Sequence, residues 1–98
     1  MGKYLVLWEV DQTKIPDDPE ERGIAWGLFM GMIKEDMEKG LTRDWGEFVG
    51  QTNGYAINEG TASDVMLSLA QYTPYCTFKV HPVATEGQVV EMIKALYG

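Results

Sequence analysis

The sequence predicts an α+β domain with the order strand, long helix, hairpin, short helix, strand, closed by a short C-terminal helix. Three observations carry this. Residues Tyr4 to Val10 are aromatic and β-branched, the composition of a strand. A long segment ending at Gly40 opens with a helix-start signature and repeats apolar side chains at helical spacing. Two further capping patterns, at Thr61 and Thr85, open shorter helices before and after a last β-rich block, Cys76 to Val83.

The chain has 98 residues, enough for a single domain spanning residues 1–98. With 45% hydrophobic and 23% charged residues it has the composition of a folded protein, not a disordered one. A domain of this size buries about two thirds of its unfolded surface, and pairing with a second copy relieves that limit. Fifteen acidic residues against eight basic ones give a net charge of -7. That charge repels phosphate backbones and anionic lipid surfaces, so neither nucleic acid nor membrane is an expected partner. Cys76 is the single cysteine, which excludes an internal disulfide and leaves no zinc-ligand spacing. No cofactor motif is present: there is no Gly-rich phosphate loop and no Ser/His/Asp arrangement. The apolar run ending at Val10 is too short to span a bilayer, and no cleavage pattern follows it. The expected compartment is the cytoplasm.

Strand one places Tyr4, Val6, Trp8 and Val10 on one face and Leu5 and Leu7 on the other. A strand apolar on both faces is covered on both, so something other than the domain's own helices must cover the second. The long helix starts at Asp18, a cap, with Pro19 in the first helical position and Glu21 completing a capping pattern. The acidic run around it reads as capping and dipole compensation rather than a cation site. Lys39 is its expected last residue and Gly40 its stop. Trp26, Phe29, Met30, Ile33 and Met37 share one face, while Ile24, Leu28 and Met32 lie roughly opposite. The first half of the helix therefore touches a second body or walls a ligand pocket. Gly27 and Gly31, four residues apart, allow close packing there.

Strand two is expected over Leu41 to Val49, a type I′ hairpin turn at Asn53-Gly54, and strand three over Tyr55 to Glu59. The short helix carries Val65, Leu69 and Tyr72 as its core stripe and ends before Pro74. Pro82 places the end of strand four near a sheet edge. Val89, Met92, Ile93 and Leu96 make the tail helix amphipathic, to cover a sheet edge or to pack on a partner.

His81 is the only histidine, so any histidine acid/base chemistry rests on it. The plainer reading is a strand-end or interface residue without a catalytic partner. Glu9 and Glu47 interrupt apolar strands; a buried acid there would serve as a general base, and an ion pair with Lys79 or Arg43 explains them as well. Trp8, Trp26, Trp45 and Tyr55 are large aromatics in the expected core, with Tyr72 near the Pro74 loop and Met30 on the Trp26 stripe. Such residues line small-molecule pockets and also simply fill cores.

The stretch from Trp45 to Val83 combines a Trp on strand two, the Asn53-Gly54-Tyr55 segment, the strand-end acid Glu59, the helix Ser63 to Tyr72 and the closing strand Phe78-Lys79-Val80-His81-Pro82-Val83. With strand one and the long helix, it resembles the dimeric α+β barrel superfamily of ferredoxin-like βαββαβ domains, in particular its small muconolactone isomerase-like members. The resemblance implies a four-stranded antiparallel sheet and a homodimer, or a multiple of dimers, with two sheets packed face to face. It also implies a cleft between sheet and helices that holds a small organic molecule. Two functions are then expected. One is a dimeric binder of an apolar or aromatic molecule, as isomerase or cofactor-free oxygenase, with His81 or Glu9 as proton shuttle and Trp8, Trp26, Met30, Trp45, Tyr55 and Tyr72 around the ligand. The other is a non-enzymatic dimerisation or regulatory module.

Overall fold

The computed structural model describes residues 2–50 and 52–98. Strand β1 is Gly2–Val10, helix α1 Pro19–Glu38, strands β2 and β3 Thr42–Glu47 and Asn53–Gly60, helix α2 Ala62–Ala70, strand β4 Cys76–Val83 and helix α3 Glu86–Tyr97. The four strands form one antiparallel sheet in the order β2-β3-β1-β4. Pro82 lies on β4, an edge strand, where its missing N–H breaks no central ladder.

Alternation divides the sheet into two unlike faces. On one, β1 buries Val6, Trp8 and Val10 beneath the helices, and β3 buries Gly54, Ala56, Asn58 and Gly60. On the other, Leu5, Leu7, Tyr55 and Ile57 are half-buried side by side, and no helix lies over them.

Asn53-Gly54 is not the hairpin turn. Both residues belong to β3, with Gly54 opposite Trp8 on one side and Glu47 on the other. A Cβ at Gly54 would collide with the Gly46 carbonyl and the Trp8 ring, so a glycine is needed inside the strand. The turn lies earlier and uses Gly50, at φ +78°, with Phe48 N–H donating to the Asn53 carbonyl at 2.9 Å. Strand β2 accordingly stops at Glu47, before Phe48 and Val49. A register shift between Thr42 and Asp44 sets Thr42 opposite Asn58 and Trp45 opposite Ala56. Both therefore face the helices although they are three residues apart.

The helix caps form as their sequences dictate. Asp18 accepts from Glu21 N–H at 3.1 Å, and Gly40 takes φ +79° after α1. Thr61 with Asp64, and Thr85 with Gln88, make reciprocal capping boxes. The inward stripe of α1 runs through Trp26, Phe29, Ile33 and Asp36; Met30, 46% exposed, reaches the cavity from its margin, and Met37, 45% exposed, lies off it. The line of closest approach passes through Asp36 because a polar partner waits there, as described below. Ile24 and Leu28 point outward and are exposed.

Helix α3 is exposed along its whole length, apolar residues included, and the molecule measures 62 × 25 × 20 Å. It covers no sheet edge of its own chain. No helix among the described residues is long and apolar enough to cross a membrane.

Gly54→Val is expected to destabilise the fold by about 1–3 kcal/mol, the usual cost of forcing extra carbons into a packed site. Gly27, mid-helix with open space where a Cβ would lie, behaves oppositely: Gly27→Ala is expected to stabilise by ~0.5–1 kcal/mol. Urea denaturation of the two variants beside the parent checks both signs.

Candidate functional site

Between the helix face of the sheet and helices α1 and α2 lies a cavity of about 530 Å³. On β3 its floor is the small side chain of Ala56 beside Asn58, while the space over Gly54 is taken by the Trp8 ring. Helix α1 approaches the backbone of β2 more closely than that of β1. Aromatic rings form much of its wall. Trp8 stacks on Trp45 with ring centroids 5.3 Å apart and planes 5° from parallel. Trp8 Nε1 donates to the Tyr55 carbonyl at 3.2 Å, which fixes the rotation of its ring. Phe29 of α1 links Trp26, at 5.9 Å, to Tyr72, at 6.1 Å, and Tyr72 meets Phe78 of β4 edge-on.

One part of this apolar lining is polar. Asn58, 2% exposed, rises from β3 with Thr42 beside it on β2. Above them, Asp36 of α1 and Ser68 of α2 are both buried, and the Ser68 hydroxyl donates to the Asp36 carboxylate at 2.7 Å. The bond links the two helices at the cavity lining. Asn58 Oδ1 is buried and has no hydrogen-bond partner among the described residues. All four of these residues line the cavity.

The other ionisable groups of the lining are set by the same burial. Tyr72 is pushed up to about 12, first by burial, then by the negative charge of Asp36 and by Cys76. Burial also pushes the Cys76 thiol up, so it stays protonated and unreactive near neutral pH. Arg22 reaches the lining from the start of α1, its guanidinium held by the Pro16 carbonyl at 3.3 Å and Gln12 Oε1 at 3.0 Å.

Of the aromatic and apolar residues expected around a ligand, Trp8, Trp26, Met30, Trp45 and Tyr72 line this cavity. Tyr55 does not. It alternates with Gly54 and Ala56 onto the opposite face, where its hydroxyl donates to Asp44 at 2.8 Å and its pKa is raised chiefly by that bond. His81 and Glu9 also lie on the opposite face, both exposed, with His81 across from Leu5 and Glu9 between Asn53 and Thr77. The sheet itself separates them from the cavity, so neither shuttles protons there. Glu9 and Lys79 lie on adjacent strands of that face in diagonal register. Arg43 pairs with Glu59 at 3.8 Å, and Glu47 reaches the rim of the cavity.

The polar group of Asn58, Asp36, Ser68 and Thr42 escaped the sequence reading. Its signals were present: Asp36 continues the spacing of Trp26, Phe29 and Ile33, and Asn58 is in phase with Gly54, Ala56 and Gly60. Among the described residues no three His, Cys, Asp or Glu side chains cluster as metal ligands. The chain matches no family model, and no curated protein matches it.

The buried phenol has a measurable signature. The folded chain favours neutral Tyr72, so the stability it contributes is complete below pH 10 and is lost as pH climbs from 10 towards about 12. An alkaline titration of tyrosine absorbance is expected to show a step near 12 that Tyr72→Phe removes, with the fold weakening across the same interval.

Proposed function

We propose that this protein binds a small, mostly apolar aromatic molecule in the cavity between sheet and helices, and that it works as a homodimer. The observation that carries the ligand reading is the aromatic-walled volume of about 530 Å³. It lies within the ~300–1,000 Å³ range of small-molecule sites, and a few convergent polar groups accompany it, as such sites require. The strand order β2-β3-β1-β4 with two crossing helices supports a ferredoxin-like arrangement of the dimeric α+β barrel kind.

The open sheet face supports the dimer. Its centre is Leu5, Leu7, Tyr55 and Ile57, and its margins carry Lys3 and Lys79 as well as Glu9 and Glu59. A two-fold interface brings a patch against itself, which requires both charge signs at the rim and an apolar middle. A second copy of this chain meets that description. Strand β1 would then be covered on both faces, with Leu5 and Leu7 against the second copy.

The reading stops at binding. An isomerase or cofactor-free oxygenase acting here would need its proton carrier inside the cavity, where Asp36 and Glu47 are the lining carboxylates. Fold alone does not select a reaction.

Two measurements test the proposal. Native mass spectrometry of the parent is expected at twice the 11.0 kDa chain mass or a multiple of that, and Leu7→Glu, which places a charge at the centre of the open face, is expected as a monomer. Naphthalene is expected to quench tryptophan fluorescence saturably, and Ala56→Phe, which fills the cavity floor, to abolish the quenching. A monomeric parent overturns the dimer, and an unquenched parent overturns the ligand site.

A further inference from the structure

We infer that the cavity selects an aromatic ligand carrying a hydrogen-bond donor, a neutral phenol-type hydroxyl or a ring N–H, that pairs with Asn58 Oδ1 against the sheet. This rests on the aromatic-ligand reading above and adds to it the polarity and charge of the ligand.

Three features point the same way. First, Asn58 is 2% exposed and its side-chain oxygen is unpartnered among the described residues, within the lining of an aromatic cavity. A buried acceptor without a donor is costly, and a ligand donor removes that cost on binding. Second, the neighbouring buried hydroxyls do not serve it: the Ser68 proton is committed to Asp36, and Thr42, opposite Asn58 on β2, makes no hydrogen bond to Asn58 Oδ1. Third, Asp36 places a carboxylate, 5% exposed, in the same lining. A ligand carboxylate would enter beside a like charge with little water to screen it, whereas a hydroxyl or N–H meets acceptors at both Asn58 and Asp36. The flat Trp8–Trp45 pair and the Trp26 and Phe29 rings then receive the ligand's ring system.

The specificity follows from what each ligand leaves unpaired. A ring without a polar group fills the volume and leaves Asn58 as it was. An ether brings no donor and can meet only the Nδ2–H of the same amide, so Asn58 Oδ1 stays unpaired. Of the three ligands, the one with a donor pairs that buried oxygen.

The test is a calorimetric series on the full chain with naphthalene, 2-methoxynaphthalene, 2-naphthol and 2-naphthoate. The expected result is 2-naphthol about ten-fold tighter than naphthalene or 2-methoxynaphthalene, with 2-naphthoate weakest. Asn58→Leu, of similar size and without the acceptor, is expected to remove the preference, so that 2-naphthol binds no tighter than naphthalene to that variant. Equal affinity for the first three ligands overturns the inference while leaving the aromatic-ligand reading intact. So does 2-methoxynaphthalene matching or exceeding 2-naphthol, because the site then offers a donor. Tightest binding of 2-naphthoate overturns the charge argument and points to Arg22 at the lining instead. No binding by any of the four overturns both readings. The parent series is decisive by itself, so a poorly folded variant does not remove the test.

Discussion

Trp8 lies across the backbone of β3 at Gly54, in the space a side chain there would occupy, and its ring stacks on Trp45 of the next strand. The hydrogen bond from its indole to the Tyr55 carbonyl holds that position. The consequences spread through the helix side of the sheet. Because Trp8 lies flat, the strands beneath it stay small: Gly54, then Ala56. Because those residues are small, the helices rest on the aromatic rim and on the Asp36–Ser68 bond and leave the middle open. Native interiors are close-packed, and a hollow of this size inside so small a domain exists because several positions agree to leave it. Enlarging Ala56 or Asn58 would fill it from below.

The same sheet has a second side governed by a different rule. Its inner four residues are as apolar as a core, yet they have no layer over them in the chain. α3 does not supply one, since it extends away with its Val89, Met92 and Ile93 exposed. In water such a surface costs free energy for every apolar area left wet, and association is the ordinary way of removing it. The two faces of β1 thus differ: one set of alternate residues shapes the cavity, and the other forms an apolar face left open. His81, Glu9 and Lys79 belong to this second side, across the sheet from the cavity.

The elements were largely legible in the sequence because their ends are written in local chemistry. The Asp18-Pro19 start, the Thr61 and Thr85 boxes and the Gly40 stop each satisfy orphaned backbone groups within four residues, and all of them form. Strand β4 spans Cys76–Val83, the block read from composition. What was not legible depends on contacts distant in sequence. Asn53-Gly54 has the composition of a tight turn, and nothing local reveals that Trp8, more than forty residues away, needs the glycine inside a strand. The register shift at Thr42 likewise turns Trp45 towards the helices against simple alternation. For the site, the aromatics were found because large rings are conspicuous, and the polar group was missed because a buried Asp, Asn or Ser looks like a surface residue until its partner is known. Reading α1 for apolar spacing alone favoured Met30 and Met37 over Asp36 and so rotated the inward face.

That polar group is also the strongest argument that the hollow is a site and not a packing flaw. A cavity that stays empty is apolar, whereas polar groups in a lining take a partner from water or from a ligand. Here an amide, a carboxylate and two hydroxyls, from β3, α1, α2 and β2, converge on the lining, and each is buried. Leaving one buried acceptor unpaired costs about 1–3 kcal/mol, and a leucine at 58 would avoid it. A small domain has little stability to spare for such a cost. The Asp36–Ser68 bond shows that this part of the molecule satisfies its polar groups where the chain provides a donor. Asn58 Oδ1 stands within the same lining without one, at the one place where the volume beside it is large enough for a ligand to bring its own.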